Sequence, residues 1–421
     1  MDRRSFFRHS FFYSGGLAIL PAFLSSCKSQ VSKVESYYDS AKGMTYRRLG
    51  KTGLMVSEIG LGGEWLERLD DKGVKEITDL CHEKGINILD IWMPGPGVRS
   101  AIGKAIKGQR QDWYIQGHIG STWKDGQYYR TRDLDLVKPA FEDLLTRLET
   151  DYIDLGMIHY VDEVKEWDEI VSGAFLEYVQ ELKASGKIRH VGLSTHNVEV
   201  AQKAVESGII EMMLFSLNPA YDMMATSGDI FTSDIPEDAT GITSDRSRLY
   251  STAETNNVGI TVMKAYAGGR LLSAEASPFG VALTPVQCIH YALTRPAVGS
   301  VLIGFSTTDH VLQATAYETA GLMDKDYGTV LANAPAHTFS GQCTYCGHCR
   351  PCTSSIDIAM VTKLTDLATI QDTVPDSVRE HYKALERHGS DCLEDADCEA
   401  RCPFKVKIRE NMKKAVLVFG Y

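Results

Sequence analysis

Between residues 57 and 306 short apolar runs alternate with segments of helical period eight times, and no other feature limits the possible folds so strongly. The runs cover residues 57–61, 87–92, 113–119, 152–160, 188–194, 211–218, 259–266 and 300–306. Between them, residues 134–148, 175–184, 198–206 and 285–293 carry helical patterns, and segments stop near turn residues such as Gly85, Gly186 and Gly208. Eight β-then-α units within about 280 residues predict a closed parallel (β/α)8 barrel, here over residues 45–330. An open doubly wound sheet is the alternative, but no Gly-x-Gly-x-x-Gly follows the first run. Ahead of the barrel, residues 46–57 place Gly50-Lys-Thr-Gly53 between short alternating segments, the signature of a hairpin. The connection 221–246 is long and rich in Asp, Thr, Ser and Gly, and is expected to act as a lid.

Functional side chains of such barrels stand at the carboxyl ends of the strands. Those positions hold Gly62-Gly63-Glu64, Asp90, His118, His159, Ser194-Thr195-His196-Asn197, Asn218, Lys264 and Gly304-Phe305-Ser306. An aspartate and two histidines arriving from three consecutive strands form an acid–base constellation. Each also has a plainer role open to it. His118 could be a satisfied rim histidine, one residue of 194–197 an N-cap, and Lys264 a partner of Asp90 or Glu64.

The end of the chain has a different chemistry. Cys343, Cys346, Cys349 and Cys352 fall at every third residue, followed by Cys392, Cys398 and Cys402, the last directly before Pro403. Three thiolates at that spacing can wrap three corners of an iron–sulfur cube, while the fourth is tethered too tightly to reach the last corner. A distant Cys-Pro supplies it, and the spare cysteine turns to a second cluster. Zinc sites use two separated pairs of cysteines, and disulfides an even, dispersed set. The pattern resembles the double-cluster module of bacterial ferredoxins, and predicts a small ferredoxin-like domain over residues 336–421. The resemblance implies Cys343, Cys346, Cys349 and Cys402 as ligands of one [4Fe–4S] cluster. A second would take Cys352, Cys392 and Cys398, with Asp395, or water, where the family has its remaining cysteine. A carboxylate is a harder ligand than a thiolate, which would make that iron labile.

Residues 2–8, Asp-Arg-Arg-Ser-Phe-Phe-Arg, precede an apolar stretch and then Leu24-Ser25-Ser26-Cys27. This resembles a twin-arginine export signal with a lipoprotein processing box, and implies a signal peptide over 1–27, a lipid anchor at Cys27 and a location on the periplasmic side of a bacterial membrane. The apolar stretch is too short to span a bilayer, so the lipid is the expected membrane attachment. Residues 28–44 are polar and aperiodic and read as a tether. The formal charge of −11, with no basic tail, excludes nucleic acid as a natural partner. Cys81 and Cys288 sit among apolar neighbours and read as inert.

Residues 46–57, 85–90 (Gly-Ile-Asn-Ile-Leu-Asp), 151–159 (Asp-Tyr-Ile-Asp-Leu-Gly-Met-Ile-His) and 186–194 (Gly-Lys-Ile-Arg-His-Val-Gly-Leu-Ser) together resemble the aldo/keto reductase family, over roughly residues 45–320. With the cysteines, the chain resembles the subgroup carrying a ferredoxin-type tail. The resemblance implies an oxidoreductase in which Asp, Tyr, Lys and His cooperate at the rim while NAD(P)H delivers hydride. Asp90 and His159 match that set. Gly95 stands where the family has its tyrosine, and His118 where it has its lysine, leaving Asp90, His118 and His159 as a remodelled centre with a void beside Gly95. Ser194 fits the serine that holds the nicotinamide carboxamide. Asn218, Gly304 and Ser306 are the other candidates for the nucleotide, although residues 304–310 lack the Arg or Lys a 2′-phosphate favours. The expected partners are a small-molecule substrate and an external electron-transfer protein. The alternative is a barrel that binds a ligand without catalysis while the clusters carry electrons.

Overall fold

The computed structural model describes residues 36–224, 235–236, 239–337, 341–370 and 373–421. The export signal and Cys27 lie outside them, as do residues 225–234 and 237–238 of the expected lid. Among the described residues thirteen strands occur in chain order: β1 Ser36–Asp39, β2 Met44–Arg48, β3 Met55–Ser57, β4 Ile59–Gly62, β5 Ile88–Ile91, β6 Tyr114–Ile119, β7 Ser121–Lys124, β8 Gln127–Arg130, β9 Ile153–Ile158, β10 Ile188–Thr195, β11 Met212–Ser216, β12 Gly259–Met263 and β13 Val298–Gly304. Eight of them, β4, β5, β6, β9, β10, β11, β12 and β13, pair in that order as parallel neighbours, and β13 returns to β4 to close the barrel.

The apolar runs become strands because both faces of a barrel strand are covered. All six residues of β9 are buried, including Asp154, whose carboxylate is met by Arg110 at 2.9 Å and Arg189 at 3.2 Å. Inside the barrel, Ile88, Leu155, Met157, Met212, Leu214 and Leu302 pack with Leu49 and Val56 of the β2–β3 hairpin, which plugs the amino-terminal end. Gly50 makes that plug possible: its φ is +51°, and a Cβ there would lie 2.2 Å from the backbone nitrogen of Gly259. Helices start where local chemistry tells them to. Asn197 caps Val198–Glu206 through its side-chain oxygen, and Thr284 forms a capping box with Gln287 ahead of Pro285–Leu293.

One expectation is corrected. The tether read over residues 28–44 ends in structure, because β1 pairs antiparallel with β2 and Tyr37 stacks on Tyr46 with ring centroids 5.1 Å apart. The alternation of Ser36-Tyr-Tyr-Asp39 is too short to register as a strand alone and becomes one by adding to an existing edge.

After the barrel come helices Tyr327–Ala332, Ile358–Thr369, Asp376–Lys383, Asp397–Arg401 and Ile408–Phe419, with no strand among the described residues from 341 onward. The longest two of these helices start six residues after a cysteine, Ile358 after Cys352 and Ile408 after Cys402. This carboxyl-terminal segment packs on the barrel within one compact unit, Lys33–Tyr421. Buried Arg295 and the hydroxyl of Tyr327 both donate to the carbonyl of Thr344, and the backbone N–H of Ile242 donates to Gln342.

Candidate functional site: a hydrogen-bonded series on the barrel rim

Strands β5, β6 and β9 are neighbours, so their carboxyl ends bring Asp90, His118 and His159 side by side. His118 Nε2 is 2.9 Å from Asp90 Oδ1, and His118 Nδ1 is 2.7 Å from His159 Nδ1. Gln116 Nε2 donates to the same Asp90 oxygen at 2.9 Å. Asp90, His118 and His159 are at most 4% exposed. Burial first, then His118, Arg132, Arg130 and His196, hold His159 well below the usual histidine pKa, so it is neutral near pH 7.

The series extends to a residue that the sequence reading did not single out. His159 Nε2 lies 2.8 Å from the hydroxyl of Tyr128, on β8. Strands β7 and β8 form a hairpin added after β6, turned by Asp125 and Gly126, both with positive φ. Asp-Gly between two short runs is a hairpin signal legible in the sequence. The register sets Tyr128 directly opposite Trp123, so both side chains leave the hairpin on one face. Arg130 on the same strand pairs with Glu166, which Arg132 also meets at 3.0 Å.

Beside the expected void, Gly95 has neighbours from other elements. A Cβ on Gly95 would meet Glu67 Oε1 at 2.8 Å and Trp123 at 3.8 Å. The space is lined by side chains brought in from other loops, which a comparison of strand ends could not reveal.

Farther round the rim, Asp162 accepts from the His196 backbone N–H at 2.7 Å and from Thr195 Oγ1 at 3.0 Å, and pairs with His196 Nδ1 at 2.9 Å. Burial pushes this carboxyl up, but its bonds with His196 outweigh that and hold it below the usual range. The ring of Tyr160 stands edge-on to His196, with centroids 5.1 Å apart.

The nucleotide candidates differ among themselves. Ser194 is buried near the end of β10. Asn218 is committed to the chain, its amide oxygen accepting from Ala220 and Tyr221 and its nitrogen donating to the carbonyl of Lys264. Gly304 is covered by Trp65, since a Cβ there would lie 2.2 Å from the indole, and Arg68 stacks 4.1 Å over that ring. Ser306 Oγ is 3.2 Å from His310 Nδ1 at the start of Thr308–Thr315, which Thr307 caps. Hydroxyls and free N–H groups at a helix start suit a phosphate.

In the tail, Cys343, Cys346, Cys349 and Cys402 line one small cavity together with Ile358, Phe404, Val406 and Ile408. Asp395 accepts a hydrogen bond from Thr353, the residue after Cys352. Among the described residues no three His, Cys, Asp or Glu side chains converge as ligands of a single ion would. Thiolates on a cube bind separate irons at separate corners, so such a group would not need three side chains on one point.

The sequence profile of the aldo/keto reductase family matches residues 58–282. The chain is 35% identical over 181 residues to the uncharacterized oxidoreductase YqkF of Bacillus subtilis, covering 41% of this chain and 57% of that one. It is 31% identical to the aldo-keto reductase YhdN of the same organism, covering 37% and 48%. The match thus spans about half the length of these curated relatives. A crystal structure of an aldo-keto reductase from Pseudomonas aeruginosa is similar at 26% identity and a TM-score of 0.50, covering 65% of this chain and 94% of that one. With its closed eight-stranded barrel, its rim carboxylate and histidines at strand ends, and a profile match across more than half its length, this chain belongs to the aldo/keto reductase family.

Proposed function

We propose that this protein is an exported, lipid-anchored oxidoreductase of the aldo/keto reductase type. It interconverts a small-molecule carbonyl and alcohol at the rim and carries one or two [4Fe–4S] clusters in its tail. The observation that carries the rim assignment is the buried series Asp90–His118–His159, which has the polarity of a proton relay. Bound NAD(P) would supply the hydride. Ser194 and Ser306 are the residues that would hold it, Ser306 together with Thr307 and the helix start offering phosphate-binding chemistry.

The rim's own part is to handle the proton. Asp90, fixed by Gln116, accepts from His118 Nε2–H and so sets the tautomer of that imidazole. His118 Nδ1 is then an acceptor, and His159 Nδ1–H donates to it. The stacking of Trp92 on His159, interplanar angle 9°, keeps water from one face of the pair. The family's Tyr–Lys couple is absent from Gly95 and His118, and this series takes its place.

The cysteine-lined cavity and the Cys-Pro at 402–403 support the clusters. The cluster domain packs outside the barrel against residues 242, 295 and 327, which fits exchange of electrons with an external protein. Paired arginines at 3–4 and Leu-Ser-Ser-Cys at 24–27 support export with lipidation.

The test is anaerobic purification, titration with NADH and NADPH, and turnover of the rim variants. His118→Ala should lower turnover by ~10²-fold or more with the iron content intact. Turnover and nucleotide affinity unchanged in Asp90→Asn, His118→Ala and His159→Ala alike would remove the rim from the reaction.

A further inference from the structure

His159 cannot itself meet a substrate. Its Nδ1 is engaged by His118 and its Nε2 by Tyr128, its ring lies against Trp92, and it is 4% exposed. His118 is sealed in the same way, between Asp90 and His159. Tyr128 is the one member of the series with substantial exposure, 39% for the residue as a whole.

The direction of every bond in the series follows from its buried end. A carboxylate only accepts, so His118 donates to Asp90 through Nε2–H. Burial holds His159 neutral, and with its Nδ1–H toward His118 its Nε2 is left as an acceptor for the Tyr128 O–H. All three bonds point inward.

We propose that Tyr128 is the catalytic residue of this rim: it exchanges a proton directly with the substrate oxygen and passes it to and from His159. This rests on the oxidoreductase reading above. In alcohol oxidation, the substrate O–H bond breaks and its proton joins Tyr128 Oη, while the proton of Tyr128 moves to His159 Nε2. The carbon–oxygen double bond forms as the C–H pair leaves as hydride to an oxidised nicotinamide. Carbonyl reduction runs the same bonds in reverse, starting from the form in which His159 Nε2 has taken up a proton from solvent. A phenol is thereby returned to a rim that has Gly95 at the expected tyrosine position, from a different element: hairpin β7–β8, whose Trp123 stands beside Gly95 and opposite Tyr128.

Two readouts test it, one independent of turnover. The first is NADH and NADPH oxidation with p-nitrobenzaldehyde by the full-length, cluster-loaded protein. Tyr128→Phe should lower kcat by ~10²–10⁴-fold while leaving nucleotide affinity intact. Tyr129→Phe, on the opposite face of the hairpin, should behave as wild type. The second is the titration of His159 followed by ¹⁵N NMR. The groups facing this ring are His118, Tyr128, Arg130, Arg132, Tyr160 and His196. The Tyr128 hydroxyl stabilises the neutral imidazole, so Tyr128→Phe should raise the His159 pKa. A fall in turnover for His159→Ala without one for Tyr128→Phe overturns the proposal and leaves the relay standing. No loss in either variant, with active wild type, overturns both. If wild type does not turn over this aldehyde, the NMR arm decides, and an unmoved His159 titration overturns the proposal.

Discussion

His118 Nδ1 lies 2.7 Å from His159 Nδ1, so the two imidazoles share a single proton between them. Two protonated nitrogens could not approach so closely, and two bare ones would repel. Asp90 occupies the other nitrogen of His118. The pair is thus in line with the carboxylate, and the path for proton movement is built in before any substrate arrives.

Acid should weaken the fold through His290. Burial first, then Lys325, Arg47 and Arg295, lower its pKa from 6.5 to about 4. The unfolded chain takes up the proton first, so this stability is fully present above pH 6.5 and is lost as pH falls toward 4. The whole window is worth roughly 3 kcal/mol. Glu318 works in the opposite sense: burial and Glu58 raise its carboxyl to about 7, and the stability it lends is lost as pH rises through that value. Urea unfolding between pH 7.5 and 5 should therefore show a flatter acid slope for His290→Gln than for wild type, and equal slopes would refute the assignment.

Asp222 should be an anchor whose loss is felt as stability. Its carboxylate is fully buried, accepts from Tyr250 Oη at 2.5 Å and Tyr291 Oη at 2.7 Å, and stands 3.5 Å from Arg246. Tyr291→Phe removes a hydrogen bond to a buried charge, and about 1.5–3 kcal/mol of stability should disappear in chemical denaturation. A change below 0.5 kcal/mol would show that this network adds nothing net.

Anaerobically purified protein should be brown and hold about eight irons. Mild oxidation should remove one iron from the cluster beside Asp395 and leave a three-iron signal, because a carboxylate grips iron less firmly than a thiolate does. Asp395→Cys should abolish that lability. Colourless protein with stoichiometric zinc would end the iron–sulfur assignment.

Export should depend on both halves of the amino terminus. Arg3→Lys combined with Arg4→Lys should leave precursor in the cytoplasm, and Cys27→Ala should block lipidation and maturation. Cell fractionation and mass measurement of the amino-terminal peptide read the two effects separately. Mature anchored protein from either variant would discard the corresponding half.

The barrel was legible because its signals are local. Residues 198–206 and 285–293 form helices at those bounds, since Asn197 and Thr284 cap them within three residues of sequence. The β7–β8 hairpin was legible too, at Asp125-Gly126, but eight short residues of mixed polarity do not stand out beside fully apolar strands. Tyr128 had no such mark. Its partner is 31 residues away, and an isolated tyrosine in a polar stretch reads as surface.

The sequence by itself determined the strand and helix periods, the caps that start the helices, the order of strand ends and the cysteine spacing. Each of these depends on residues near one another along the chain. Only the tertiary structure decided which rim groups share protons, that Gly95 is walled by Glu67 and Trp123, and that a phenol from an added hairpin ends the series. Those facts depend on angstrom-scale distances between side chains from β5, β6, β8 and β9, and such distances exist only once the barrel has closed.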